Sequence, residues 1–328
     1  MGKFAAITRV LNEADIIESF IRHTAAFVSH HVIMDNGSAD GTIEILEALV
    51  KEGLPISVYQ SRAVTFNESD ALTQLYVQAC KDVSPDWVLC LDADEFIDDR
   101  HTMTGLRSLL EGYAIRRDGP ECLKVPMVNY IATSQDDVKE PIVPLRIRRR
   151  RPPSDAYKLF IRGGLPQGQI TIQHGSHWAA MSDRPLRDVV ENRIWLAHYS
   201  ERSPYQYILK FVRGWSKVLA TGQIELDKKT AYHYKAPYEF LRDTPTALLR
   251  NKHFMGFKDE AADLVDDPTA YRGGPLKYTP SLNEGMRAVR GLMGVLDDLS
   301  KRHGKLMDEF PMVHDAVRDW EQTVTKLL

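Results

Sequence analysis

Trp87-Val-Leu-Cys-Leu-Asp-Ala-Asp-Glu-Phe96 is the stretch on which the reading of this chain turns. An apolar run from Trp87 to Leu91 leads directly into three acids, Asp92, Asp94 and Glu95. A continuous apolar run predicts a strand buried on both faces of a parallel sheet. Acids at its carboxyl end then lie where open α/β sheets bind their ligands. Two carboxylates one residue apart at such a place suit a hard divalent cation that keeps waters and takes phosphate oxygens. For an isolated Asp-x-Asp a solvated acidic turn is the plainer reading, so the neighbouring segments decide.

Upstream, strands and helices alternate. Phe4 to Val10 reads as a buried strand, and Ile16, Ile17, Phe20, Ile21, Thr24, Phe27 and Val28 follow at helical spacing. His31 to Met34 is a short apolar strand ending at Asp35-Asn-Gly-Ser-Ala-Asp-Gly-Thr42. There Gly37 and Gly41 permit tight turns, and Ser38 or Asp40 can cap a helix carrying Ile43, Leu46, Leu49 and Val50. Pro55 to Tyr59 is a third strand, and Leu72, Leu75, Tyr76, Ala79 and Cys80 mark the helix before Trp87. This alternation predicts an α/β fold with a parallel sheet and right-handed crossovers.

Downstream the pattern loosens. Met103 to Tyr113 reads as a helix, and Cys122 to Tyr130 as a strand that Pro126 would place at an edge. Pro144 to Arg151, Lys158 to Arg162 and Gln169 to His174 predict short strands of a mixed or antiparallel extension. Beyond them the chain turns mainly helical. One apolar stripe runs from Tyr205 through Ile208, Leu209, Val212 and Trp215 to Leu219, and a second includes Val289, Leu292, Val295, Leu296 and Leu299. A third would join Val313, Val317, Trp320, Val324 and Leu327, and Asp266 to Pro280 reads as a long loop. Residues 1–200 are expected to form the α/β domain. Residues 201–328 would be a helical region packed on it, at the acceptor side or as an oligomer contact.

Composition narrows the function. A net charge of −3 over 328 residues argues against a nucleic-acid partner. Cys80, Cys90 and Cys122 have no metal-ligand spacing and read as reduced core thiols. The N-terminus enters a strand pattern without a signal-peptide layout, and no apolar stretch approaches the roughly 18 residues of a membrane span. The expectation is a cytoplasmic protein, at most peripheral to the inner face of a membrane.

The end of the first strand adds Thr8, Arg9, Asn12 and Glu13, so three strand ends carrying polar groups converge on one sheet edge. In their order, Asn12-Glu13, Asp35 to Thr42 and Leu91-Asp-Ala-Asp-Glu-Phe96 resemble glycosyltransferase family two. The Asp-Glu-Phe ending is similar to the branch related to family ninety-two, as are Leu196-Ala-His-Tyr-Ser-Glu-Arg-Ser203 and Lys210-Phe-Val-Arg-Gly214. The resemblance spans residues 4–215. It implies a GT-A fold, a nucleotide-diphospho-sugar donor (UDP-sugars first), manganese or magnesium, and inverting transfer to a glycan or glycolipid acceptor. Polysaccharide biosynthesis is the implied setting, with contact to a membrane or a homodimer as further expectations.

The resemblance also implies roles. Asp92 and Asp94 match the metal and donor motif, while Asp35 matches the carboxylate that reads the nucleobase. Thr8, Arg9 and Glu13 would line the nucleoside pocket, and Lys158 would touch the diphosphate. His177 and His198 are the candidate metal histidines, with His174 behind them. Arg148 to Arg151 could place two guanidinium forks on a diphosphate, or could be the charged guard of an edge strand. The acceptor's base is open among Glu95, Asp136, Asp137, Glu140, Asp155 and Asp183, with Glu95 and Asp155 preferred. A nucleotidyltransferase is disfavoured because Thr8 to Glu13 contains no glycine for a phosphate loop. A non-catalytic nucleotide-sugar or glycan-binding protein that keeps the fold is the remaining alternative.

Overall fold

The structure is a computed structural model. It describes residues 2–61, 68–166, 168–222, 226–227, 229, 231–244, 263–279, 284–310, 312–313 and 315–316. The first part alternates as β1 (Phe4–Val10), α1 (Ile17–Thr24), β2 (His30–Asp35), α2 (Thr42–Lys51), β3 (Ile56–Gln60), α3 (Glu68–Asp82) and β4 (Trp87–Cys90). Then come β5 (Glu95–Asp98), α4 (Gly105–Ala114), β6 (Cys122–Asn129), α5 (Val143–Arg146), β7 (Arg149–Arg150), β8 (Tyr157–Arg162), β9 (Ile170–Ile172), β10 (Ala179–Met181), β11 (Asp188–Val190) and β12 (Trp195–His198). The last part holds α6 (Pro204–Thr221), α7 (Lys235–Asp243), β13 (Val265–Asp266) and α8 (Glu284–Glu309).

One mixed sheet runs β3-β2-β1-β4-β8-β6-β12-β5, with β11 beside β6. β1 to β4 are parallel, as the alternation predicts. β8 reverses direction between β4 and β6, and β5 runs antiparallel to β12 at the far end. Strand alternation explains why the central strands read as unbroken apolar runs. Phe4, Ala6, Trp87 and Leu89 face the core under α1, α2 and α4, while Ala5, Ile7, Val88 and Cys90 face the core under α3. Each fully buried aliphatic side chain contributes about 1.5–3 kcal/mol relative to exposure. The Trp87 indole also finds a partner, donating to Leu110 O at 3.1 Å.

Two expectations change here. β6 is interior: it pairs with β8 on one side and with β11 and then β12 on the other. Pro126 is tolerated because it falls in the gap between β11, which pairs residues 122–124, and β12, which pairs residues 127–129. Pro144 to Arg151 is not one strand but α5 followed by the two-residue β7. Three of its arginines, Arg148, Arg150 and Arg151, have carboxylate partners late in the chain. Arg148 reaches Asp266 at 3.4 Å, Arg150 reaches Asp267 at 2.6 Å, and β13 pairs with β7.

The loop after β13 is pinned by Glu18 of α1, whose side chain has no exposure. Its carboxylate accepts from the backbone N–H groups of Lys277, Tyr278 and Thr279 at 2.7–2.9 Å. All three cysteines are buried and free. No helix among the described residues is long and apolar enough to cross a membrane. Val317, Trp320, Val324 and Leu327 of the third apolar stripe lie outside the described residues.

Candidate active site

β12 assembles the centre of the site through its register. It places His198 opposite Glu95 of antiparallel β5 and opposite Asn129 of parallel β6. Directly opposed residues share a sheet face, so these three side chains stand in one row. Asn129 Oδ1 lies 2.8 Å from His198 Nδ1. An amide oxygen can only accept, so Nδ1 carries the proton and the Nε2 lone pair faces the cavity. Burial pushes His198 down to about 4 although Asp94 pulls the other way, so the ring is neutral at neutral pH.

The acidic loop is stitched onto this row. Tyr199 N–H donates to Asp94 O at 2.8 Å, and Asp92 N–H donates to Glu95 Oε2 at 3.0 Å. Burial drives the Asp94 carboxyl upward, but Lys210, His198 and Arg202 outweigh it and hold Asp94 below the ordinary range. Lys210 Nζ is 3.3 Å from Asp94 Oδ2, and Arg202 Nη1 and His198 Nε2 are each at 3.7 Å. Glu95 has no exposure, and burial raises its carboxyl to about 8 against the pull of Lys158. Lys158, 1% exposed, lies 2.6 Å from Asp92 and 3.2 Å from Glu95 Oε1. The second approach lacks hydrogen-bond alignment, which leaves Glu95 Oε1 buried without a hydrogen bond.

Carboxylate oxygens of Asp94 and Glu95 and a ring nitrogen of His198 lie within 4.8 Å of one another. Hard carboxylate oxygens with one neutral imidazole suit manganese or magnesium, and the unsatisfied Glu95 oxygen is a ligand atom in waiting. The residues therefore fit a divalent ion.

These groups line a cavity of about 510 Å³ whose opposite wall is α6. Ser203 caps that helix, accepting from Gln206 N–H at 3.2 Å, and Pro204 occupies its first turn. The polar face of α6 carries Gln206, Lys210, Arg213 and Lys217 into the cavity. A Cβ on Gly214 would come within 2.7 Å of the Tyr234 ring, so the helix and Tyr234 pack this closely only at glycine. Just before α6, Arg202 is wholly buried and ties the end of β1 to this wall, reaching Glu13 at 2.6 Å and Asp15 at 2.8 Å.

Of the residues expected from sequence, Arg9, Glu13, Asp92, Asp94, Glu95, Lys158, His177 and His198 all line the cavity. Asp92 and His177 stand outside the metal-suited group: Asp92 is held by Lys158, and His177 Nδ1 lies 2.7 Å from Tyr157 O. Thr8 and Asp35 are buried and do not line it. The Asp35 carboxylate instead accepts from Gly37 and Ser38 N–H at 2.9–3.2 Å, closing its own turn. Asp155 is exposed before β8, away from the cavity, and of the candidate bases only Glu95 lines it. Arg202, Lys210, Arg213, Lys217 and Asn129 were not assigned from sequence. The spacing of Gln206, Lys210, Arg213 and Lys217 was a usable signal: a polar stripe on the face of α6 away from its apolar one.

Residues 6–114 match the family model Glycosyl transferase family 2. A comparison with curated protein sequences finds no match. Among solved structures, the chain is similar to glucosyl-3-phosphoglycerate synthase from Mycobacterium tuberculosis in complex with Mn2+, UDP and glucosyl-3-phosphoglycerate. Identity there is 17%, over 38% of this chain and 44% of that one, with a TM-score of 0.27. A mannosyltransferase from Pyrobaculum calidifontis in complex with GDP-Man and Mn2+ is 13% identical over 75% of this chain and 76% of its own, with a TM-score of 0.35. The chain thus spans less than half the length of the synthase. The family match runs from β1 through the acidic loop to the end of α4, about a third of the chain.

Proposed function

We propose that the chain transfers a sugar from a nucleotide-diphospho-sugar, in the first place a UDP-sugar, to a hydroxyl of a glycan or glycolipid acceptor with inversion. The observation that carries this reading is the convergence of Asp94, Glu95 and His198 donors within 4.8 Å on the wall of a 510 Å³ cavity. These three residues would hold manganese or magnesium, which when bound supplies Lewis-acid stabilisation of the departing diphosphate.

The chain's own groups support the same chemistry. Lys210 brings a second cation to the place where leaving-group charge develops. Asn129 fixes the His198 tautomer, and Arg202 fixes Glu13 relative to Asp94. Glu95 belongs with the metal-holding groups, because its Oε1 is buried without a hydrogen bond beside Asp94 and His198. Polysaccharide assembly on the cytoplasmic side of a membrane is the setting this reading implies. The exposed Met286, Val289, Met293 and Leu296 of α8 would be the surface for a membrane or a second copy.

The test is a panel of nucleotide sugars with and without Mn2+, read as nucleoside diphosphate release. Metal-dependent release from at least one donor is expected. A panel in which no donor is turned over or bound would remove the reading.

A further inference from the structure

Residues 173–178 join β9 to β10, and His174, Gly175 and His177 of this turn line the cavity. Gln173 N–H donates to Trp178 O at 2.9 Å and Ser176 N–H to Gln173 O at 3.0 Å, which closes the turn. Two consecutive residues in it are left-handed, Gly175 at φ +69° and Ser176 at φ +53°. A serine held there is strained, and such strain persists where the surroundings over-determine the backbone. Ser176 is 1% exposed and lies against Cys90 at the end of β4, which seats the turn beside the acidic loop. A Cβ on Gly175 would come within 2.6 Å of the His177 ring, so the ring folds back over a position that only glycine can fill. The strained turn thereby sets one exposed imidazole.

The orientation of that ring is fixed. Its Nδ1 lies 2.7 Å from Tyr157 O, and a carbonyl oxygen only accepts, so Nδ1 carries the proton and Nε2 keeps its lone pair. Among the described residues Nε2 has no hydrogen-bond partner. Tyr157 directly precedes Lys158, so the ring is fastened one residue from the cation that holds Asp92 and Glu95, outside the metal-suited group. The other proton acceptors among the described lining residues are engaged. Glu13 faces Arg202 at 2.6 Å, Asp92 and Glu95 face Lys158, Asp94 faces Lys210, and Glu68 faces the His174 ring at 3.9 Å. A carboxylate held by a cation is a weak proton acceptor. His198 turns its Nε2 to Asp94, and His233 lies near Lys210, whose charge disfavours a second cation.

We propose that His177 Nε2 is the base that deprotonates the acceptor hydroxyl. This assignment rests on the glycosyltransferase reading of the cavity. As the acceptor oxygen forms its bond to the anomeric carbon, its proton passes to Nε2. The bond from that carbon to the diphosphate oxygen breaks, and its electron pair leaves with the nucleoside diphosphate. The Tyr157 carbonyl accepts from the imidazolium so formed, which then returns its proton to water.

The test compares the wild type with His177→Ala in Mn2+-dependent transfer from a panel of nucleotide sugars to p-nitrophenyl glycosides, beside calorimetric titration of Mn2+ alone. His177→Ala should lose about 100-fold or more in kcat. Its Mn2+ affinity should stay within twofold of the wild type, and free imidazole in the assay should restore part of the lost transfer. If His177→Ala melts well below the wild type, His177→Asn, which keeps a donor for Tyr157 O, supplies the same comparison. Transfer at the wild-type rate, a loss that imidazole does not restore, or a loss matched by weaker Mn2+ binding overturns the proposal while the glycosyltransferase reading stands. A wild type that transfers from no donor removes that reading and the base with it.

Discussion

His198 presents Nδ1 to Asn129 Oδ1 at 2.8 Å, which leaves Nε2 facing the Asp94 carboxylate. The pair exists because β12 and β6 run parallel with these two residues in register. Outer partners of a ligating histidine set its tautomer, and losing one weakens metal affinity about 10–100-fold. Asn129→Ala should therefore weaken Mn2+ binding within that range, measured by titration calorimetry, with little change in melting temperature.

Among the described residues Lys158 is the one cation that pairs with both Asp92 and Glu95, and it is 1% exposed. Removing one partner of a buried ion pair costs about 3–5 kcal/mol. Lys158→Met should lose stability on that scale in urea denaturation. Mn2+ should restore part of it, because an ion held by Asp94, Glu95 and His198 would neutralise Glu95.

Acid lability should come partly from two histidines remote from the cavity. Burial lowers His23 to about 4 and His31 to about 3, and both ring nitrogens of His31 are buried without a partner. Unfolded, each takes its proton near the ordinary value of about 6.5. Their contribution is thus whole above pH 6.5 and is lost as pH falls through the folded values. Each can add a slope of up to about 1.4 kcal/mol per pH unit within that window. Denaturation between pH 8 and pH 5 should show falling stability, and His31→Phe should flatten the curve.

Glu18 accepts three backbone N–H bonds and the Thr279 hydroxyl, fastening the segment 277–279 to α1. Glu18→Ala should cost about 3 kcal/mol, since it leaves several buried donors unsatisfied. Hydrogen exchange should quicken first at Lys277 to Thr279.

What could be read from sequence follows burial. β1, β2 and β4 are covered on both faces, so their apolar runs are unambiguous, and the acids after Cys90 inherit a position from the strand before them. Local pattern misled where a distant partner decides the outcome. Pro126 looked like an edge marker, yet it lies where β6 changes partners. Arg148 and Arg150 looked available to phosphate, yet Asp266 and Asp267, more than a hundred residues later, take them. The apolar stripe of α6 drew the eye to packing, while the opposite stripe, Gln206 to Lys217, supplies a wall of the site.

The most direct measurement is Mn2+-dependent sugar transfer and nucleotide binding by Asp94→Ala beside the wild type. Asp94 is the acid that His198, Arg202 and Lys210 all face. The account predicts loss of transfer and of metal-dependent nucleotide binding, with the fold retained. An Asp94→Ala protein that still transfers sugar at the wild-type rate would contradict it.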